Sequence, residues 1–112
     1  WIEKYPITHI GGQLNMQQEL ILMSHLDVML AMDSSNTHLA SVAGTRVVSI
    51  WGATHPAAGF AGFGQKESDS IQADIACRPC SIYGKKPCRY GDYRCLNSIN
   101  PETVIEKITN GF

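Results

Sequence analysis

The chain has 112 residues and a mass of 12.3 kDa, room for one domain at most. Hydrophobic residues make up 44 % and charged residues 17 %, an ordinary globular balance that excludes wholesale disorder. Nine Lys and Arg against ten Asp and Glu leave a formal charge of −1, which argues against nucleic acid as a partner, and no apolar run approaches the ~20 residues that a bilayer-spanning helix needs.

In chain order, Trp1-Ile2-Glu3-Lys4-Tyr5-Pro6 reads as the amphipathic end of a helix stopped by Pro6. It carries no initiator Met and no basic-then-apolar leader. The expectation is a piece of a longer protein without a secretion signal, its apolar surface open where the rest of the core would sit. Ile7–Ile10 is a short strand candidate ended by Gly11-Gly12. Asn15 and Gln18 have capping-box spacing, so a helix is expected over Met16–Ser24, with Leu20, Ile21 and Met23 on its buried face. Val28–Met32 is a continuous apolar run, as in a strand covered on both faces. Asp33-Ser34-Ser35 caps a helix over Asn36–Ala43, and Gly44 ends it. Val47–Ile50 is the next strand, with Trp51 in the core. Residues 53–70 read as a long loop, whose Phe60 or Phe63 joins the core if it folds back. Ile71–Ala76 is the last strand candidate. Asn100-Pro101-Glu102 starts a helix that runs to Thr109. Strands alternating with helices give an α/β fold: a partial Rossmann-like parallel sheet with helices on its faces, in one partial domain over 1–112.

Such sheets bind ligands beyond the carboxyl ends of their strands. Asp33 stands just past one strand, and Ser34 and Ser35 lie at the mouth of the following helix. Free N–H groups and the helix dipole make that mouth an anion site. The Ser34, Ser35 and Thr37 hydroxyls and the His38 imidazole can add donors, which suits a diphosphate. Asp33 would repel phosphate and is better used on the turn or on a sugar hydroxyl. The same residues also serve as a plain helix cap. A Ser35–His38 nucleophile pair is disfavoured, because groups around a helix mouth face a ligand rather than one another.

Cys77, Cys80, Cys88 and Cys95 fall in one Gly-, Pro- and Tyr-rich segment, 77–95, expected as loop. It holds Arg78, Lys85, Lys86, Arg89 and Arg94 against one acid, Asp92. Three readings stay open for the thiols: a structural zinc site, two disulfides, or free thiols. Any role is structural rather than catalytic, and the positive charge could face an acidic, phosphorylated acceptor. His9, His25 and His55 read as isolated.

These motifs are familiar as a set. Asp33-Ser34-Ser35-Asn36-Thr37-His38-Leu39-Ala40 resembles the D-[ST]-G-x-x-H-L-A turn of glycosyltransferase family 9, the heptosyltransferases, with Ser35 in place of the usual Gly. Gly44-Thr45-Arg46-Val47-Val48 resembles its G-T-P-V-V, and Trp51-Gly52-Ala53-Thr54-His55-Pro56 its F-G-x-T-x-P. The four cysteines and Ile99-Asn100-Pro101-Glu102 resemble the tail of many members. The resemblance implies the later part of the donor-binding half of a two-domain GT-B enzyme. Such an enzyme inverts the anomeric carbon without a metal, with an ADP-heptose-like nucleotide sugar as donor, in lipopolysaccharide or cell-envelope glycan synthesis. Asp33, Ser34, Ser35, Thr37 and His38 would meet the donor, with Thr54 and Pro56 on the cleft rim. The catalytic base, a basic residue and an acid for the donor, and the glycolipid or glycan acceptor site would belong to chain preceding Trp1. No catalytic residue is therefore expected here, the 112 residues alone should be inactive, and the open sheet edge should favour self-association. The implied location is cytoplasmic, extending to peripheral attachment at the inner membrane face. The competing reading is a metal-ordered binding module without enzymatic role. A dinucleotide-binding oxidoreductase fragment is disfavoured for want of a G-x-G-x-x-G turn.

Overall fold

A computed structural model describes residues 3–111. The helix end read over Trp1–Tyr5 lies partly outside the described residues, and within them Glu3–Pro6 is turn and bend. Three strands, β1 (Met29–Met32), β2 (Val47–Trp51) and β3 (Ser70–Gln72), form one sheet in the order β1-β2-β3, parallel throughout. Met32 pairs with Ile50 and Trp51 with Gln72. All three strands therefore release the chain at the same edge of the sheet.

Helix α1 (Met16–Ser24) has the expected boundaries and the full capping box. The Asn15 side chain accepts from the Gln18 N–H (2.9 Å), and the Gln18 side chain accepts from the Asn15 N–H (3.0 Å). Of its expected inner residues Met23 is buried, whereas Ile21 is exposed. Helix α2 (Ser35–Val42) starts one residue earlier than expected and ends in a Schellman turn. There the Gly44 N–H reaches Ser41 O (3.1 Å) and the Thr45 N–H reaches Ala40 O (2.9 Å). Gly44 sits at φ +83°, which only glycine adopts without strain. α2 packs on β1 and β2, and α1 packs on α2. Met23, Ala40 and Val47 form the buried centre, ringed by Met29, Ala31, Leu39 and Ala43.

Four expectations are corrected. Ile7–Ile10 is not a strand: the Ile7 N–H turns back to Tyr5 O (2.7 Å) and the Gln13 side chain donates to His9 O (3.0 Å), so local bonds replace a ladder. β1 is not covered on both faces. It is the edge strand, and Leu30 and Met32 are 45 % and 48 % exposed while their alternates face α2. The centrally placed β2 is the strand buried on both faces. β3 stops at Gln72 rather than Ala76, where Arg78 takes the Ala73 carbonyl that would continue the ladder and also binds the Gln72 side chain. Phe63 is 86 % exposed rather than core, and Phe60 packs on Tyr83 instead.

The loop 53–70 carries two short 3-10 turns, Pro56–Ala58 and Glu67–Asp69. One glutamine anchors it. Gln65 accepts from the Val47 N–H (2.8 Å) and donates to the Ser41 hydroxyl and Thr45 O (3.0 Å each). The cysteine segment is irregular as expected, except for one helical turn at its end, α3 (Arg94–Asn97). Helix α4 (Pro101–Thr109) starts at Asn100, whose side chain accepts from the Glu102 N–H (3.0 Å). Its last turn is held by Arg46, which donates to Lys107 O (2.8 Å) and Ile108 O (3.2 Å) and grips Asp69 through both carboxylate oxygens (2.8 and 2.9 Å).

Candidate functional site

The site is built where the strands end. β1 runs out at Met32, and the Met32 carbonyl accepts the Thr37 hydroxyl (2.7 Å), which pulls the first turn of α2 over the strand end. Thr37 is 1 % exposed. Its proton is committed to this bond, so Thr37 shapes the mouth rather than supplying a donor to it. Ser34 is the N-cap in extended conformation (φ −154°, ψ 167°) and makes no side-chain cap bond. The first-turn N–H groups are thus left uncapped by the Ser34 side chain, whereas Asn15 and Asn100 close the starts of α1 and α4. Asp33, Ser34, Ser35 and His38 are all exposed. The Thr37 N–H returns to Ser34 O (3.2 Å), so the start of the first turn, two hydroxyls and an imidazole stand at the positive end of a helix dipole, which favours an anion.

β2 exits through Gly52-Ala53-Thr54 into the 3-10 turn at Pro56. His55 caps that turn: its Nδ1 accepts from the Ala57 N–H (3.0 Å). His55 is therefore a structural cap at the crevice rather than an isolated histidine. Thr37 and Pro56 line one cavity of about 270 Å³ together with Ser49, His55 and Gln65. Of the expected site residues the structure brings Thr37 and Pro56 to this hollow, whereas Asp33, Ser34, Ser35 and His38 do not line it. Thr54 is buried under the rim rather than standing on it (7 % exposed), and its Oγ1 is the one buried side-chain polar atom without a partner among the described residues. A buried hydroxyl left unpaired costs about 1–3 kcal/mol.

β3 exits through Ala73 and Asp74. A second cavity, of about 450 Å³, opens there between His55, Gln72, Asp74 and Arg78. At the level of sequence Arg78 counted only among the five cations that could face an acidic acceptor. Its guanidinium donates to Gly52 O (2.6 Å), Ala73 O (2.7 Å), Thr54 O (3.0 Å) and the Gln72 side chain (3.1 Å). The only hint was its position a few residues past a strand, between Cys77 and Cys80.

All four cysteines are free thiols lining one small cavity of about 70 Å³ beside Arg78, Lys86, Arg89 and Arg94. Among the described residues, no three His, Cys, Asp or Glu side chains are gathered as metal ligands. Cys88 is distinguished by its turn. The N–H groups of Tyr93 and Tyr90 foremost, then Gly91 and Asp92, surround its sulfur and hold the thiol below the ordinary cysteine range. Three of the five cations are already engaged: Arg78 on carbonyls, Arg94 on Asp92 (2.9 Å) and over the Tyr90 ring (3.9 Å), and Arg89 over the same ring (5.4 Å). The Arg94 side-chain bonds hold the Asp92 carboxyl below the usual carboxylate range. No helix among the described residues is long and apolar enough to cross a membrane.

The family model described as glycosyltransferase family 9 (heptosyltransferase) matches residues 2–93. A lipooligosaccharide heptosyltransferase 2 of Campylobacter jejuni subsp. jejuni serotype O:2 is 29 % identical over 84 residues, which is 75 % of this chain and 25 % of that protein. The protein of the same name from serotype O:6 is 28 % identical over 82 residues, 73 % of this chain and 25 % of its own length. The chain thus spans about a quarter of the length of these relatives. No solved structure matches it significantly.

Proposed function

The chain belongs to glycosyltransferase family 9, the heptosyltransferases, and from that membership we propose that its strand-end crevice holds the diphosphate of a nucleotide-sugar donor for glycosyl transfer. The observation that carries this reading is the open first turn of α2. Its N-cap side chain makes no cap bond, and the exposed hydroxyls and imidazole around it sit beyond the carboxyl end of a parallel strand. Ser34 and Ser35 take phosphate oxygens through backbone N–H and hydroxyl, His38 adds a third donor, and Asp33 takes a sugar hydroxyl. Thr37 fixes the turn. The unpaired Thr54 hydroxyl and Pro56 belong to the opposite wall.

The donor class we infer is ADP-heptose-like, and the setting is lipopolysaccharide or cell-envelope glycan synthesis, as the names of the relatives suggest. In this reading the 112 residues are the later part of the donor-binding half of a GT-B enzyme. Inverting transfer needs an acceptor hydroxyl held in line with the anomeric carbon and a base within hydrogen-bond reach of it. Asp33 is the acid nearest the mouth, and it is occupied with the donor. The acceptor and the base then come from chain beyond these residues, and the 112 residues alone do not turn over.

The test is calorimetric titration of ADP into the polypeptide that carries this chain, with His38→Ala beside the native protein. Loss of one charge-assisted hydrogen bond should weaken ADP by about 1–3 kcal/mol. Absence of ADP binding by the native protein removes the donor reading, and unchanged affinity in the variant removes His38 from it.

A further inference from the structure

Three consecutive carbonyls of the chain leaving β2 are all held from one short stretch of the cysteine segment. Gly52 O accepts from Arg78 Nε (2.6 Å), Ala53 O from the Cys80 N–H (3.1 Å), and Thr54 O from Arg78 Nη2 (3.0 Å). The same guanidinium reaches across to the exit of β3, through Nη1 to Ala73 O (2.7 Å) and through Nη2 to the Gln72 Oε1 (3.1 Å). One planar group thus ties the carboxyl ends of two neighbouring strands to each other. Arg78 has no carboxylate partner among the described residues, since their ion pairs are Arg46–Asp69 and Arg94–Asp92. A cation that meets only carbonyl oxygens is held for its geometry: five N–H groups in a fixed fork can serve several acceptors in several directions, and a lysine cannot.

What this fork holds is the wall of the crevice. Residues 52–54 lead directly into His55, which caps the turn at Pro56, and they carry the buried, unpaired Thr54 hydroxyl. With its three carbonyls fixed, the segment has little freedom left to choose where Thr54 and Pro56 stand. The geometry points to Arg78 as a positioning residue that sets the 52–56 wall of the donor crevice, with the Cys77–Cys80 loop as the bracket that carries it. This rests on the donor reading above for its consequence, and on the hydrogen bonds alone for its mechanism. It also gives the cysteine segment a task at the site that requires no thiol chemistry.

Arg78→Lys and Arg78→Gln separate the fork from the charge, because the first keeps the charge and loses the fork. Amide hydrogen exchange of the polypeptide that carries this chain is read at Cys80, whose N–H is bonded to Ala53 O, and at Ala57, Ala58 and Gly59, the bonded amides of the Pro56 turn. Central β2 serves as the reference for global opening. In both variants these four amides should exchange at least about tenfold faster while β2 changes by less than about twofold, as for local opening. ADP should bind about tenfold more weakly to both. Native exchange at the four amides, a rise shared equally by β2, or full rescue of protection and ADP affinity by lysine each overturns the assignment. If the native protein does not bind ADP, the donor reading falls with the crevice's role, while the four amides still decide whether Arg78 holds the wall.

Discussion

Arg46→Ala is the substitution whose cost is most directly worked from the coordinates. Arg46 makes four side-chain hydrogen bonds, two to the Asp69 carboxylate and two to the last carbonyls of α4. The Asp69 side chain is 8 % exposed and that of Arg46 27 %. Truncation leaves a buried carboxylate without its cation, which costs about 3–5 kcal/mol. Water can enter beside a partner that was itself a quarter exposed, which places the loss near the lower end, about 3 kcal/mol. For a domain of this size, that lowers the thermal midpoint by about 12–24 °C. The pH dependence gives a second reading. Arg46's side-chain bonds hold the Asp69 carboxyl below the usual carboxylate range against the opposing effect of burial. A depressed folded pKa contributes stability above the unfolded value of about 3.9 and loses it as pH falls through the folded value. In Arg46→Ala burial is opposed only by the weaker attractions of Lys107 and Lys66, so the folded pKa rises above its native value and acidification from neutrality relieves the variant. Urea denaturation of the native and variant chains between pH 4 and 8 should show the gap narrowing toward acid. A gap below about 1 kcal/mol at pH 7, or one that is flat with pH, refutes the argument.

Other substitutions probe the parts around the site. Gly62→Ala places a Cβ against the Ser41 hydroxyl, which is itself bonded to Thr37 O and Gln65; a loss of about 1–3 kcal/mol is expected in denaturant melts. Gly44→Ala forces φ +83° on a residue with a side chain and should cost about 1–2 kcal/mol, without changing ADP affinity. Cys88, with its thiol pulled down by the surrounding N–H groups, should be alkylated by iodoacetamide with a pH midpoint below that of a free cysteine peptide, near 8.5; a midpoint at or above that value contradicts the turn geometry.

Local rules with one physical cause each were legible in the residues. Asn15 with Gln18, Asn100 with Pro101, and Gly44 each report a cap whose partners lie within a few residues. The elements they bound came out within a residue or so of expectation. What was not legible depends on neighbours distant in the chain. Val28–Met32 is apolar throughout, yet whether such a run lies inside or at the edge of a sheet is set by which strands flank it. Here β2 takes the centre and leaves Leu30 and Met32 open. Ile7–Ile10 has a strand's composition, but among the described residues its bonds are local turns.

The site divides along the same line. The mouth at Asp33–His38 is a contiguous motif, so its chemistry is written in order along the chain, and only the burial of Thr37 needed the strand beneath it. The 52–54 segment at the exit of β2 is not ordered by its sequence neighbours. Gly52, Ala53 and Thr54 are held by Arg78 and Cys80, about two dozen residues later. A basic residue between two cysteines looks like a solvent-facing charge in a metal-binding or disulfide loop, because the thiols dominate the chemistry that one reads there. The fold reassigns the priority. The thiols stand free around a small cavity, while the arginine between the first two makes four bonds to the ends of β2 and β3. An irregular segment with few buried side chains holds its shape only if something rigid takes its hydrogen bonds, and the strand exits supply that rigid partner. The dependence is mutual: strand ends released from a three-residue ladder at β3 are too short to order 52–54 alone, and the segment that orders them is the one they order.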